Sequence, residues 1–230
     1  MTPPSPFDVV FLSYDEPLAD ALYARLSDTF GRVKRLHGVH GMRRAYQLTA
    51  EMVNGDFLFI ADADFEVAAD YNPSEAGPLD AGVAMRVWRT VNAVNGLVYG
   101  HGGLKLCRRQ ALRDMRDDAV DVLAGLPGRI EFTPTVAGRT RFNQSAWHAW
   151  RAGFRECAML ARGCEYGTAS AEAQARLEVW TRTGTGAYAE DARRGARAGV
   201  AFAADTPPDD GMWQNLNDPA WLARRYAASR

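Results

Sequence analysis

Residues 57–66 read Phe-Leu-Phe-Ile-Ala-Asp-Ala-Asp-Phe-Glu, an apolar run that ends directly on two carboxylates one residue apart. The run is short, unbroken and preceded by the turn residues Asn54, Gly55 and Asp56, which predicts a strand buried on both faces. Asp62 and Asp64 then fall at the strand's C-terminal end, the edge of open α/β sheets where loops converge on ligands. Two carboxylates there suit a hard divalent cation that bridges phosphate oxygens and stabilises a departing diphosphate as a Lewis acid. A solvated turn or a helix cap would carry the same two aspartates with no metal at all.

Working outward, residues 7–12 form a second apolar run with strand character. Turn and cap residues follow at Ser13, Asp15, Glu16 and Pro17, and Leu18, Leu22 and Leu26 have helical spacing. Residues 33–36 predict another short strand, followed by the glycine-bearing segment 37–41 and a helix over 42–52. Downstream, strands are expected over 83–88, 94–99, 104–107 and 131–136. Helices are expected over 110–123, 145–162 and 169–181, with a short one closing the tail 206–230. This alternation is that of an α/β chain.

At 230 residues the chain suits one sizeable domain, because cores split beyond roughly 250 to 300 residues. Its 47% hydrophobic and 24% charged residues are ordinary for a packed globular protein. A formal charge of −1 sets up no global field for nucleic acid. No apolar run reaches the roughly 20 residues of a membrane span, and residues 1–6 lack leader-peptide features, so a cytoplasmic location is expected. Cys107, Cys157 and Cys164 form no CxxC pair and read as reduced structural thiols.

Residues 7–17, 38–50 and 57–66, about the first third of the chain, resemble the first half of the GT-A glycosyltransferases. The resemblance implies a nucleotide-diphospho-sugar transferase fold, α/β with a mixed central sheet flanked by helices. One domain would span 1–230, with 1–70 as the nucleotide-sugar-binding half, 71–205 as the acceptor and catalytic half, and 206–230 as a tail. It also implies transfer of a sugar from a nucleoside-diphosphate sugar, a UDP-sugar first, to an acceptor hydroxyl with Mn2+ or Mg2+.

Carried onto this sequence, the resemblance gives Leu12, Ser13 and Asp15 contacts to the nucleoside. His37, Gly38, Arg43 and Arg44 would neighbour the base and diphosphate. Asp62 would meet the donor ribose and sugar, and Asp64, beside it, the metal. The arginines suit phosphate because a guanidinium presents fixed donors, although a solvated helix face uses arginine equally well. Phe65 and Glu66 depart from the family-2 pattern, and Glu66 has no assigned role. No histidine follows His148, so the later histidine that joins the metal shell in many GT-A enzymes is missing. His101, His148, Asp209, Asp210 or water would have to replace it.

Gly100, Gly102 and Gly103 permit close backbone approach to a ligand beside His101 and Lys105, as an acceptor or donor-sugar loop, or else make only a tight hairpin. Lys105 would balance phosphate charge. On the helix over 145–162, Trp147, Trp150, Phe154, Cys157 and Leu160 share an apolar face, and Arg151 and Arg155 stand four residues apart. Trp150, Arg151 and Arg155 are candidates for the acceptor. Glu156 resembles the second-half carboxylate that inverting GT-A enzymes use as general base, or else salt-bridges a neighbouring arginine.

The segments 11–17, 100–105 and 150–157 also resemble compact phage-type GT-A enzymes, some of which glycosylate hydroxymethylated pyrimidines in DNA. A DNA acceptor therefore stands beside a saccharide. Lys105, Arg108, Arg109, Arg113 and Arg116, with Arg193, Arg194, Arg197, Arg224 and Arg225, would track phosphates, against the interleaved Asp114, Asp117 and Asp118. A nucleotidyltransferase or pyrophosphorylase is the rival enzyme, disfavoured because residues 13–17 are acidic and lack glycine. A non-catalytic sugar- or nucleic-acid-binding domain is the rival of another class.

Overall fold

Strand and helix alternate from the start: β1 (Asp8–Ser13), α1 (Ala19–Phe30), β2 (Lys34–His37), α2 (Met42–Glu51) and β3 (Phe57–Asp62). The computed structural model describes residues 5–116 and 119–229. It divides into two compact units, the first of residues 1–91, 98–118 and 125–141, the second of 92–97, 119–124 and 142–230.

The first unit continues with β4 (Phe65–Val67), β5 (Val83–Asn92), β6 (Val98–Tyr99), β7 (Leu104–Arg108), α3 (Arg109–Arg113) and β8 (Arg129–Thr140). The sheet runs β2-β1-β3-β7-β5-β8-β4, with β6 added to β5. β1 pairs in parallel with β2 and β3, whereas β7 lies antiparallel to β3 and β5, so the sheet is mixed as expected. One core face carries Val9, Phe11, Leu22, Leu26, Phe30 and Phe59.

Chain connectivity forces this sheet to bend. β3 and β4 are separated only by Ala63 and Asp64, yet they occupy the third and seventh places in the strand order. Strands spaced about 4.8 Å apart would set those places about 19 Å apart in a flat sheet, whereas three peptide steps reach about 11 Å. The aspartates therefore sit where the sheet curls. Glycines make room for the curl: a Cβ on Gly138 would fall 2.1 Å from the Glu66 carbonyl oxygen, and one on Gly103 would press on Phe65 at 3.2 Å.

The second unit is helical, with α4 (Ala146–Arg162), α5 (Ser170–Arg182), α6 (Ala189–Asp205) and α7 (Pro219–Ala228). Ser145 caps α4 by accepting from the His148 backbone N–H, and Gly163 ends it in the left-handed conformation. α6 was not expected, because its buried face is Ala189, Ala192, Gly195, Ala196, Gly199 and Phe202 and offers little apolar signal. That face instead permits close approach. A Cβ on Gly195 would lie 2.1 Å from the Trp150 carbonyl oxygen, and one on Gly199 would lie 2.3 Å from that of Phe154.

Two other expectations change. Residues 94–97 form a turn, closed by Val94 N–H donating to Asn92 Oδ1 at 2.9 Å, and only 98–99 are strand. The helix expected over 110–123 is reduced to the short α3, with Asp117 and Asp118 outside the described residues.

Candidate functional site at the carboxyl edge of the first unit

Parallel pairing lines up three strand ends. Ser13 stands opposite His37, and Leu12 stands opposite Asp62, so the C-terminal ends of β1, β2 and β3 share one edge. The 13–17 and 38–41 loops leave from that edge and are tied together by Gly38 N–H donating to the Ser13 carbonyl at 3.0 Å. α2 then begins at Gly41, whose φ of 90° suits glycine. No side chain caps its first turn, no acid stands there, and Arg43 and Arg44 do. The helix end and the two arginines together make this edge electropositive beside the aspartates.

Ser13 organises the β1–β2 end of this edge. Its Oγ accepts from Arg35 Nε at 3.0 Å and lies 3.0 Å from His37 Nδ1. The His37 ring is otherwise exposed at this strand end. Arg35 is itself held by Asp20 at 2.6 Å and lies over the rings of Phe11 and Tyr23. Arg35 was not among the sequence candidates; its place two residues before His37, on the same face of β2, was the available signal. Leu12 is buried, and Asp15 is exposed in the loop.

Lys105 is wholly buried, and its Nζ donates to both Asp62 oxygens, at 2.7 and 2.8 Å. β7 places it opposite Ile60, diagonal to Asp62 on the same sheet face. Tyr46 of α2 lies beneath, its ring centre 5.1 Å from Nζ. Burial alone would lower the ammonium's pKa, but the Asp62 carboxylate and the Tyr46 hydroxyl hold it above the ordinary lysine value. Burial likewise raises Tyr46, and pushes Cys107 of the same strand up to about 12, which makes that thiol inert.

The loop over 100–103 backs onto these residues. Asp62 N–H donates to the Gly103 carbonyl at 3.0 Å, and His101 lies against Tyr99 with ring centres 3.5 Å apart. Gly100 faces Phe132, Gly103 faces Phe65, and Gly102 has a φ of 79°. Packing and turn geometry thus account for all three glycines. Glu66 accepts from Arg141 at 2.8 Å and pairs with Arg25 at 3.4 Å.

The remaining sequence candidates belong to the second unit. Trp150 is a core side chain stacked on Phe154, Arg151 lies over Trp147, and Arg155 donates to the Leu216 carbonyl and to Asn217. Glu156 and Glu165 share the buried guanidinium of Arg176, and Thr168 donates to Glu165 at 2.6 Å. Burial, followed by the Glu156 charge, raises the Glu165 carboxyl to about 7. Acids on α6 hold neighbouring arginines, Glu190 pairing with Arg193 and Asp191 with Arg194.

No family model matches the sequence, and no curated protein matches it. Among solved structures, the chain is similar to the mannosyltransferase PcManGT from Pyrobaculum calidifontis in complex with GDP-Man and Mn2+, with a TM-score of 0.47 and 14% identity, covering 99% of this chain and 88% of that one. It is also similar to a glycosyltransferase involved in glycosylation of the major capsid of PBCV-1, with a TM-score of 0.33 and 14% identity, covering 46% of this chain and 62% of that one. Likenesses this distant assign nothing to single residues.

Among the described residues, no three His, Cys, Asp or Glu side chains gather as a metal site. Both Asp62 oxygens already accept from Lys105. The donor set fits a cation that arrives with phosphate oxygens rather than one held by the protein alone.

Proposed function

We propose that this protein is a glycosyltransferase that takes its sugar from a nucleoside-diphosphate sugar. The observation that carries the proposal is the shared edge, where the register sets Ser13 beside His37 and Leu12 beside Asp62. One end of that row presents the exposed His37 ring, which suits hydrogen bonding to a nucleobase. The other end presents Asp62 to ribose or sugar hydroxyls. Between them, Gly38, Arg43, Arg44 and the uncapped start of α2 suit the diphosphate.

Asp64 is the carboxylate that would hold Mn2+ or Mg2+ together with the diphosphate oxygens. A cation there would supply Lewis-acid stabilisation of the leaving group. The chain's own groups bind and orient the sugar donor, and Lys105 fixes Asp62 from behind.

A saccharide-type hydroxyl is the acceptor favoured by the arginines' partners. Arg108 donates to the carbonyls of Val83, Leu79 and Asp80, and Arg109 to those of Ala50 and Asn54, so neither is positioned to track a DNA backbone. Attack by the acceptor needs a base if transfer inverts, and none if it retains. Glu156 serves only if it releases Arg176.

Thermal-shift measurements with UDP- and GDP-sugars, with and without Mn2+, test the sugar-donor assignment. Stabilisation by at least one is expected, and none by any nucleoside diphosphate would defeat it. Labelled transfer to free saccharides against hydroxymethylpyrimidine DNA separates the acceptors.

A further inference from the structure

In the second unit, α7 packs on α4 and α6 without filling the space between them. Trp150, Phe154, Ala198, Trp221, Arg224 and Arg225 line a cavity of about 450 Å³, a size suited to a small ligand. Its walls are aromatic: Trp150 stacks on Phe154 with ring centres 4.9 Å apart, and Trp221 meets Phe154 edge-on at 5.9 Å. The Arg225 guanidinium lies over the same rings, 4.5 Å from the centre of Trp221 and 5.8 Å from that of Phe154.

Two kinds of donor on these walls want an acceptor. No acid lines the cavity, and among the described residues neither Arg224 nor Arg225 pairs with a carboxylate. Arg225 is half-buried, and that burial lowers its pKa. Lys105 and Arg176, buried more deeply, both have their acids. Trp150 is 1% exposed, and its indole N–H has no acceptor among the described residues. A buried donor left unpaired is costly, so each of these groups favours an occupant that brings oxygen atoms. A lipid surface suits the place less well, because no large apolar side chain of α7 stands exposed as a wedge.

We propose that this cavity binds a small aromatic carboxylate. Its flat aryl body lies among Trp150, Phe154 and Trp221, and its acidic head accepts from the two arginines, with the Trp150 N–H as a further donor at the wall. The site lies wholly within the second unit and does not depend on the glycosyltransferase reading.

The test is titration of isotope-labelled protein with naphthoate, following the tryptophan indole N–H signals by magnetic resonance. The Trp150 signal is identified by its loss in Trp150→Phe. A saturable shift of that signal is expected, with a dissociation constant at or below about 1 mM, the scale for a ligand of this size. Uncharged naphthylmethanol is expected to bind at least about tenfold more weakly, because it lacks the charge-assisted bonds. Arg225→Met should lose naphthoate affinity to the same degree, and Ala198→Phe, which fills the cavity and keeps both arginines, should block both compounds. Equal affinity for naphthoate and naphthylmethanol overturns the proposal, as does the absence of a saturable shift at millimolar ligand. A dimer of the free protein that Ala198→Phe dissolves in sedimentation would give the cavity to a second copy, and also overturns it. Should Arg225→Met not fold, the comparison of the two compounds on wild type and Ala198→Phe decides.

Discussion

Two buried cations organise carboxylates in this protein, and they do so in opposite ratios. In the first unit Lys105 meets one acid, Asp62, and the charges cancel. In the second unit Arg176 meets Glu156 and Glu165, with Glu172 further off at 3.8 Å, so acids outnumber the cation. The balanced pair holds one carboxylate against one ammonium at the strand end. The unbalanced cluster pushes Glu165 up to about 7, so its charge depends on pH. Counting partners around a buried cation thus separates a carboxylate suited to a ligand from one suited to holding helices together.

The largest effect should come from breaking the edge. Asp64→Asn is expected to lower transfer by roughly 10²- to 10³-fold, the scale set by removing one preorganised electrostatic contact; steady-state assays with labelled sugar donor measure it. Arg176→Met comes next. It leaves two partly buried acids without their cation and should cost up to about 3 to 5 kcal/mol in urea unfolding. The cost should be smaller at pH 5, where Glu165 is protonated, than at pH 8.

Wild-type stability sharpens the same contrast. The folded pKa of Glu165 lies above its ordinary value of 4.5, so between about 4.5 and 7 the folded protein holds a proton that the unfolded chain has lost. Stability is therefore greatest from this group at low pH and falls as pH rises through that window, by up to about 1.4 kcal/mol per pH unit. Glu165→Gln should flatten the profile in pH-dependent melts. The smallest effect is expected for Glu156→Gln, with turnover within about tenfold of wild type, because its carboxylate is held by Arg176. A fall of 10²-fold or more with unchanged binding of the sugar donor would instead make it the base.

The strand ending on Asp62 and Asp64, the β1 and β2 runs with their loops, and α1, α2, α4 and α5 were all legible in the sequence. Each announces itself through local periodicity or turn chemistry, which needs no knowledge of distant residues. α6 was not legible, because its contact with α4 uses glycine and alanine to bring backbones close rather than large apolar groups.

The sequence by itself determined where the carboxylates stand: at a strand's end, beside a glycine-bearing loop and two arginines. Only the tertiary structure decided what those charges meet. Lys105 reads as a phosphate partner until β7 is laid antiparallel against β3 and its ammonium reaches Asp62, 43 positions away in the chain. Likewise, Arg108 and Arg109 read as a basic patch until backbone carbonyls engage them. Strand order and the curl of the sheet set those partners, and neither is encoded in the spacing of nearby residues.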